Sequence, residues 1–469
     1  MSSRYGTMTK SPEAMETDTR GLPLLTPRTR EKWMDRERPE RPEEKNNMTM
    51  TTVQMVNSML GSGILSFPYV LSETGIVLSA ILLIMFAYLN YAVNIMLLET
   101  GAHVGMKTGD QSHIIATALK SEFAGRLMDL CIAVMAFGSL LSYFNVMGNL
   151  GADLFKSTRP PDIGFNTYPG TIVITGILLS PFCFYRAYGD IAYVSLISWS
   201  LIFLTTIIIV VKGIAGHNSI PWWPSTPLAP IAMFGNFAFA TSNQYVVHEA
   251  YASMRAELRE NMGSIVTTQI SLGVTLLTLM GLGGVAAVGA DNLSTNIIDT
   301  LSLHPLLNKL LRIWTIFHLM MYIPNDFIIM RLYGCRYFDL NPLQIPFPRY
   351  VALTSILLAI PAILMAAIPR PDVTGAFELV ITLTGDIPVA IGVFLLPLLA
   401  FKRRVLDNLP IDGPSFTPES LFPYARQWHV SFYFLLVLTL ITLFVAPIVV
   451  LYDFATDCNR RTCASYGSS

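Results

Sequence analysis

A few polar residues stand where this chain is otherwise apolar, and their types define the chemistry on offer. Asn57 and Ser58 precede Gly61-Ser62-Gly63 within TTVQMVNSMLGSGILSFPYVL. Thr241-Ser242-Asn243-Gln244 interrupt IAMFGNFAFATSNQYVVHEAY. His318 and Asp326 lie within LLNKLLRIWTIFHLMMYIPNDFIIMR, and Asp386 lies in a later apolar run. Carboxyl and imidazole groups in such surroundings can take up and release protons, while hydroxyl, amide and freed backbone groups can hold a small polar solute. No His-Glu-x-x-His pair, Gly-x-Ser-x-Gly elbow or P-loop occurs, so the chain does not read as an enzyme and no metal or cofactor is expected.

The elements that position these residues follow from composition. Of 469 residues, 52% are hydrophobic and 13% charged, against about a quarter charged in soluble domains. Mean hydropathy is +0.50, so a bilayer is the better solvent. The formal charge of −1 gives no basic field for nucleic acid. Five cysteines are too few for a disulfide scaffold; Cys131 and Cys183 read as buried thiols, and Cys458 and Cys463 as a candidate pair.

Residues 1–46 contain ten Lys/Arg among acids and prolines, and are expected to form a disordered cytosolic tail. No cleaved signal peptide is expected, so the first span would direct insertion. Apolar stretches of membrane length then recur near 51–71, 76–98, 127–155, 170–185, 190–211, 229–251, 264–289, 307–332, 349–369, 374–401 and 429–452. Self-satisfied backbone in lipid makes them helices, eleven in all. Residues 47–401 would form a ten-helix core, 402–428 a cytosolic loop, 429–452 the eleventh helix and 453–469 an extracytosolic tail. With a cytosolic N-terminus, inner segments hold 23 Lys/Arg and outer ones 8, in keeping with the positive-inside tendency. Asn292, in the sequon Asn292-Leu293-Ser294, then falls outside as a glycosylation candidate, and Cys458 and Cys463 fall where a disulfide persists.

Gly61-Ser62-Gly63 at the centre of span one invites unwinding, because glycine costs about 1 kcal/mol in a helix interior. The polar run of span six requires a cavity for the same depth. Spans one and six are five apart, so spans 1–5 and 6–10 can form inverted halves, each opened by a broken helix. Half-helix N-termini attract a carboxylate and the opposite carbonyl ends suit an ammonium. A zwitterionic α-amino acid fits both.

Asn57-Ser58-Met59-Leu60-Gly61-Ser62-Gly63-Ile64-Leu65 with Pro68, Phe237-Ala238-Phe239-Ala240, and Gly385 with Phe394-Leu395-Leu396-Pro397 resemble the amino acid/auxin permease family. That family includes the sodium-coupled neutral, proton-coupled and vacuolar amino acid transporters. The resemblance covers about residues 50–452 and implies an all-α, leucine-transporter-like fold of five plus five inverted helices with an eleventh added. It implies that Gly61, Ser62 and Gly63 bind the substrate carboxylate, and that Phe239, Ala240 and Thr241 supply backbone or wall contacts. Tyr143 and Asn145 read either as lining residues or as interhelical hydrogen bonders, and Asn57 as serving ion, substrate or bend.

Sodium sites in this fold combine span-one carbonyls with span-eight oxygens. The sodium-coupled branch resembles a Thr-x-Pro pattern at span eight, where this chain has Tyr322-Ile323-Pro324; Tyr-Ile-Pro-Asn-Asp is more similar to the proton-coupled branch. His318, Asp326 and Asp386 are the proton-coupling candidates, and His318 reads alternatively as a satisfied interhelical bonder. His248 and Glu249 are expected at the interface, solvated. The resulting expectation is a monomeric, proton-linked symporter of neutral amino acids in the plasma membrane or a vacuolar/lysosomal membrane, with spans 1, 2, 6 and 7 rocking against the rest. Sodium coupling and an amino-acid-sensing receptor are the alternatives. A channel would need a filter loop or ring of charges that one asymmetric chain does not display.

Overall fold

The computed structural model describes residues 46–61, 63–105, 110–155, 167–216, 218–342, 344–367, 383–408 and 420–452. Ser62, Cys458, Cys463 and the expected tail up to residue 45 lie outside them.

Helix α1 (Met48–Met59) begins at Asn47, whose side chain accepts the Met50 amide, and ends at Leu60, whose amide turns back to Val56 and Asn57. Helix α2 (Gly63–His103) restarts beyond the glycines and reverses at Gly75, where φ is +70°. Only glycine takes that angle without strain, and a Cβ there would also sit 2.6 Å from the backbone of Trp223. A short helix, α3 (Gln111–Leu119), precedes α4 (Glu122–Phe155); at nine residues it falls below the length that hydropathy detects. Helices α5 (Tyr168–Cys183) and α6 (Ala192–Gly216) complete the first half.

The second half opens with α7 (Phe234–Thr241) and α8 (Val247–Ser253), separated at the polar run. Then follow α9 (Met262–Val288), α10 (Pro305–Tyr337) and α11 (Phe347–Ala367). Helix α12 (Gly385–Leu406) and the added α13 (His429–Tyr452) complete the chain's described helices. Eight helices among the described residues are long and apolar enough to cross a bilayer. The two broken spans and the shorter α5 bring the crossings to eleven, as expected.

Burial fixes the arrangement. In the most apolar window of α4 and of α10, 72% of residues are buried, against 28% in α11 and α13. The first two therefore form the centre, packed against each other, and the last two form the rim. Rim side chains such as Ile84, 67% exposed, and Val430, 85% exposed, would be a liability in water but are at home in lipid. Helices α4 and α10 are the third crossing of each half, and the broken spans are the first of each. This equivalence is the inverted repeat.

Candidate functional site

The break in span one opens onto a cavity between α4, α7 and α10. The cavity is small, with room for little more than a water molecule. Gly61 and Phe239 line it, with Tyr143 and Asp326 opposite. Gly61 is required by close approach: a Cβ there would lie 2.6 Å from Tyr143 Oη and 2.9 Å from Tyr322 Oη. Gly63 answers a different demand, since its Cβ would meet Ala240 at 3.1 Å. The two glycines thus serve the cavity and the packing of α2 on α7 respectively.

Asp326 is the charge-bearing group of the cavity and is 2% exposed. Tyr143 Oη donates to its Oδ2 at 2.8 Å and Asn325 Nδ2 to its Oδ1 at 3.2 Å, while Tyr245 Oη, 3.4 Å from the same oxygen, shares its one proton between that oxygen and Ser58 O. Ser139 adds a further side-chain bond. The carbonyl of Ser58, freed where α1 ends, accepts from Tyr245 Oη at 3.1 Å and Tyr322 Oη at 3.0 Å. Among the described residues no cation pairs with Asp326. The site is a carboxylate ringed by neutral donors, joined through tyrosine hydroxyls to an unwound backbone.

The remaining candidates separate from this cluster. Asn145 Oδ1 accepts from Tyr168 Oη at 2.9 Å and from Asn149 at 3.3 Å, so it bonds between helices. Thr241 Oγ1 donates to Phe237 O at 2.8 Å, and its carbonyl accepts from Asn90. His318 Nδ1 lies 2.9 Å from Ser198 O and 3.1 Å from Ser198 Oγ, between α6 and α10. Asn57 is fully buried, with neither amide atom hydrogen-bonded. Asp386 is also fully buried and unbonded, off the cavity wall. Asn292 is exposed in the turn after α9. Cys131 and Cys183 are buried free thiols.

Sequence reasoning overlooked Met135, Ser139 and Tyr245 on the cavity wall, where Ser242 of the polar run also stands. Met135 and Ser139 carry a signal in retrospect, since they precede Tyr143 at intervals of four on one face of α4. The structure also changes the reading of the inner end of span six. His248 is 1% exposed rather than solvated, and Glu249 Oε1 accepts from Arg336 Nη2 at 3.1 Å. Arg336 also reaches Asp110 Oδ1 at 2.5 Å, so Glu249 is held by a cation rather than solvated alone.

Two broken helices facing a central pair, in inverted halves, define the leucine-transporter-like class of secondary-transporter folds. Solved structures agree in fold. That titled MhsT in complex with L-phenylalanine matches over 88% of this chain and 99% of its own, with TM-score 0.54 and 14% identity. A manganese transporter of Eremococcus coleocola, in complex with an aromatic bis-isothiourea substituted compound, matches over 90% and 91%, with TM-score 0.57 and 14% identity. The chain belongs to the transmembrane amino acid transporter family, whose model matches residues 44–331; this is the amino acid/auxin permease family, one of transporters and not of enzymes. Its relatives include vacuolar amino acid transporter 7 of Saccharomyces cerevisiae, 21% identical over 55% of this chain and 53% of that protein. Sodium-coupled neutral amino acid transporter 7 of Xenopus laevis is 25% identical over 50% and 54%. The aligned part of this chain spans about half the length of these curated relatives.

Proposed function

We propose that this chain is a proton-coupled symporter of neutral L-α-amino acids that works by alternating access. The observation that carries the reading is Asp326, a buried carboxylate in the cavity with donors around it and no cation beside it. A buried anion that keeps no resident counter-charge is costly, and a proton or a substrate ammonium supplies what it lacks. Asp326 is the proposed proton-carrying group. The substrate carboxylate would meet the first amides of α2 around Gly61, Ser62 and Gly63, which begin a helix without intrahelical acceptors. The ammonium would face the carbonyl ends of α1 and α7, beginning with Ser58 O. Met59, Met135 and Phe239 give the side chain an apolar wall, which favours neutral substrates.

Sodium is the second reading, and two relatives bear that ion in their names. Against it, Tyr322 stands where a short span-eight hydroxyl is needed. A hard cation requires several oxygens at once. In this reading the N-terminus is cytosolic, Asn292 is glycosylated outside, and the protein acts as a monomer in the plasma membrane or an acidic organelle.

Purified protein in proteoliposomes, given proton and sodium gradients separately, tests the proposal. Accumulation of labelled neutral amino acids should follow the proton gradient. Asp326→Asn should abolish that accumulation while leaving measurable exchange of substrate across the membrane. Accumulation that requires sodium and ignores pH defeats the proposal.

A further inference from the structure

Among the described residues the carboxyl group of Asp386 has no hydrogen-bond partner and lies off the cavity wall, yet it is fully buried. It stands in the π-helical stretch Gly385–Leu395 of α12, which follows the helical Leu383 and Thr384, a widened geometry that recurs at functional sites. Its neighbour Gly385 touches α7 backbone to backbone. A Cβ on Gly385 would fall 2.0 Å from Gly235 O, so α7 and α12 meet here with nothing between them. On the other side Thr384 fills the space a Gly138 Cβ would occupy on α4. This seam lies near the start of α7, toward the same end of the bundle as the Gly75 reversal and Trp223.

We propose that Asp386 is a proton-binding latch: protonated, it lets α12 close on the outer end of α7 at the Gly385–Gly235 contact, and ionised, it holds them apart. This rests on the transport reading, in which that end faces outward. An ionised carboxylate buried without partners is far more costly than a neutral one. Closing the seam therefore requires neutralisation, and parting it admits the water that ionisation needs. Among the described residues no charged group pairs with Asp386. On α4, Cys131 faces Gly392, Asp129 is engaged by Ser112 and Arg336, and Tyr143 is committed to Asp326. Helix α7 has no titratable residue. On α13, His429 and Tyr433 lie at the start, away from the Ile441–Val445 stretch that packs on α12. On α2, Glu73 is held by Ser225.

The test reads the seam and does not need transport. Met233→Cys, at the buried start of α7, is labelled with a membrane-impermeant maleimide in full-length protein in proteoliposomes, with the unsubstituted protein as background. Labelling should rise with pH between about 5 and 8, by up to about tenfold per unit, the limit for one proton. Asp386→Asn should stay at the low, closed level throughout. Asp386→Glu should keep the pH dependence with a moved midpoint, which also serves if the Asn variant fails to fold. Labelling that ignores pH, that follows sodium at fixed pH, or that is unaltered in midpoint by both variants overturns the latch. Loss of proton-driven accumulation with the labelling pattern intact would strike the coupling proposal alone.

Discussion

Gly61 has no room for even a methyl group, because the hydroxyls of Tyr143 and Tyr322 close over its α-carbon. Inserting one carbon into such a contact costs about 1–3 kcal/mol when neighbours must shift. Here the neighbours are also the donors to Asp326 and Ser58 O. Gly61→Ala should therefore cut uptake at least several-fold while the protein still inserts and purifies as a single species. Gly63→Ala presses instead on Ala240, so it should lower thermal stability as well as uptake. Unchanged uptake by Gly61→Ala would separate the cavity from the substrate path. The glycines and Asp326 were legible in sequence because each type is expensive at mid-membrane and needs a reason to be there. Tyr245 and Ser139 were not, because a tyrosine or serine in a membrane helix costs little to place and only the rotation of its helix shows where it faces.

At the scale of elements, Glu99 shows how the loop before α13 is fastened. It is fully buried near the end of α2. Its Oε2 accepts the amides of Leu421 and Phe422, each at 2.8 Å, and its Oε1 accepts the Ser420 hydroxyl. His103, one turn on, accepts from Arg426 at 3.2 Å. Glu99→Ala would leave two amides unsatisfied, at about 1–3 kcal/mol each where burial persists. A thermal-shift measurement should show a Tm lower by several degrees, with Glu99→Gln much less affected because an acceptor oxygen remains. Equal losses for both variants would mean that the negative charge, and not the acceptor, holds the loop. The spans themselves were readable from hydropathy, since lipid permits few alternatives to helix. Pairing of a loop with α2 was not, because a carboxylate near a helix end reads as solvated until the loop that caps it is seen.

At the scale of the whole molecule, the spans proposed to rock are tied to the rest at the end where the chain enters the bundle. Within the rocking group, Asn46 joins the start of α1 to the end of α8, its amide donating to Ser253 O and its carbonyl accepting from Arg255, both at 3.1 Å. The Gln54 side chain donates to Tyr188 O, and the Ser58 hydroxyl lies 2.6 Å from Tyr188 Oη. Arg336 adds the charged tie, joining α10 to Glu249 on α8 and to Asp110 before α3. An ion pair with partly exposed partners contributes little to folding, but alternating access depends on a small difference between two closed ends. Removing a tie made in one state alone shifts that balance by whatever the tie is worth. Arg336→Gln should therefore favour opening at this end, so that exchange between equal substrate pools persists while steady-state accumulation falls several-fold. Glu249→Gln should do the same more weakly, since Asp110 keeps the shorter contact. Accumulation and exchange falling together in both variants would assign Arg336 to the stability of α10, and full accumulation in Arg336→Gln would leave the closing of this end to α1 and Tyr188.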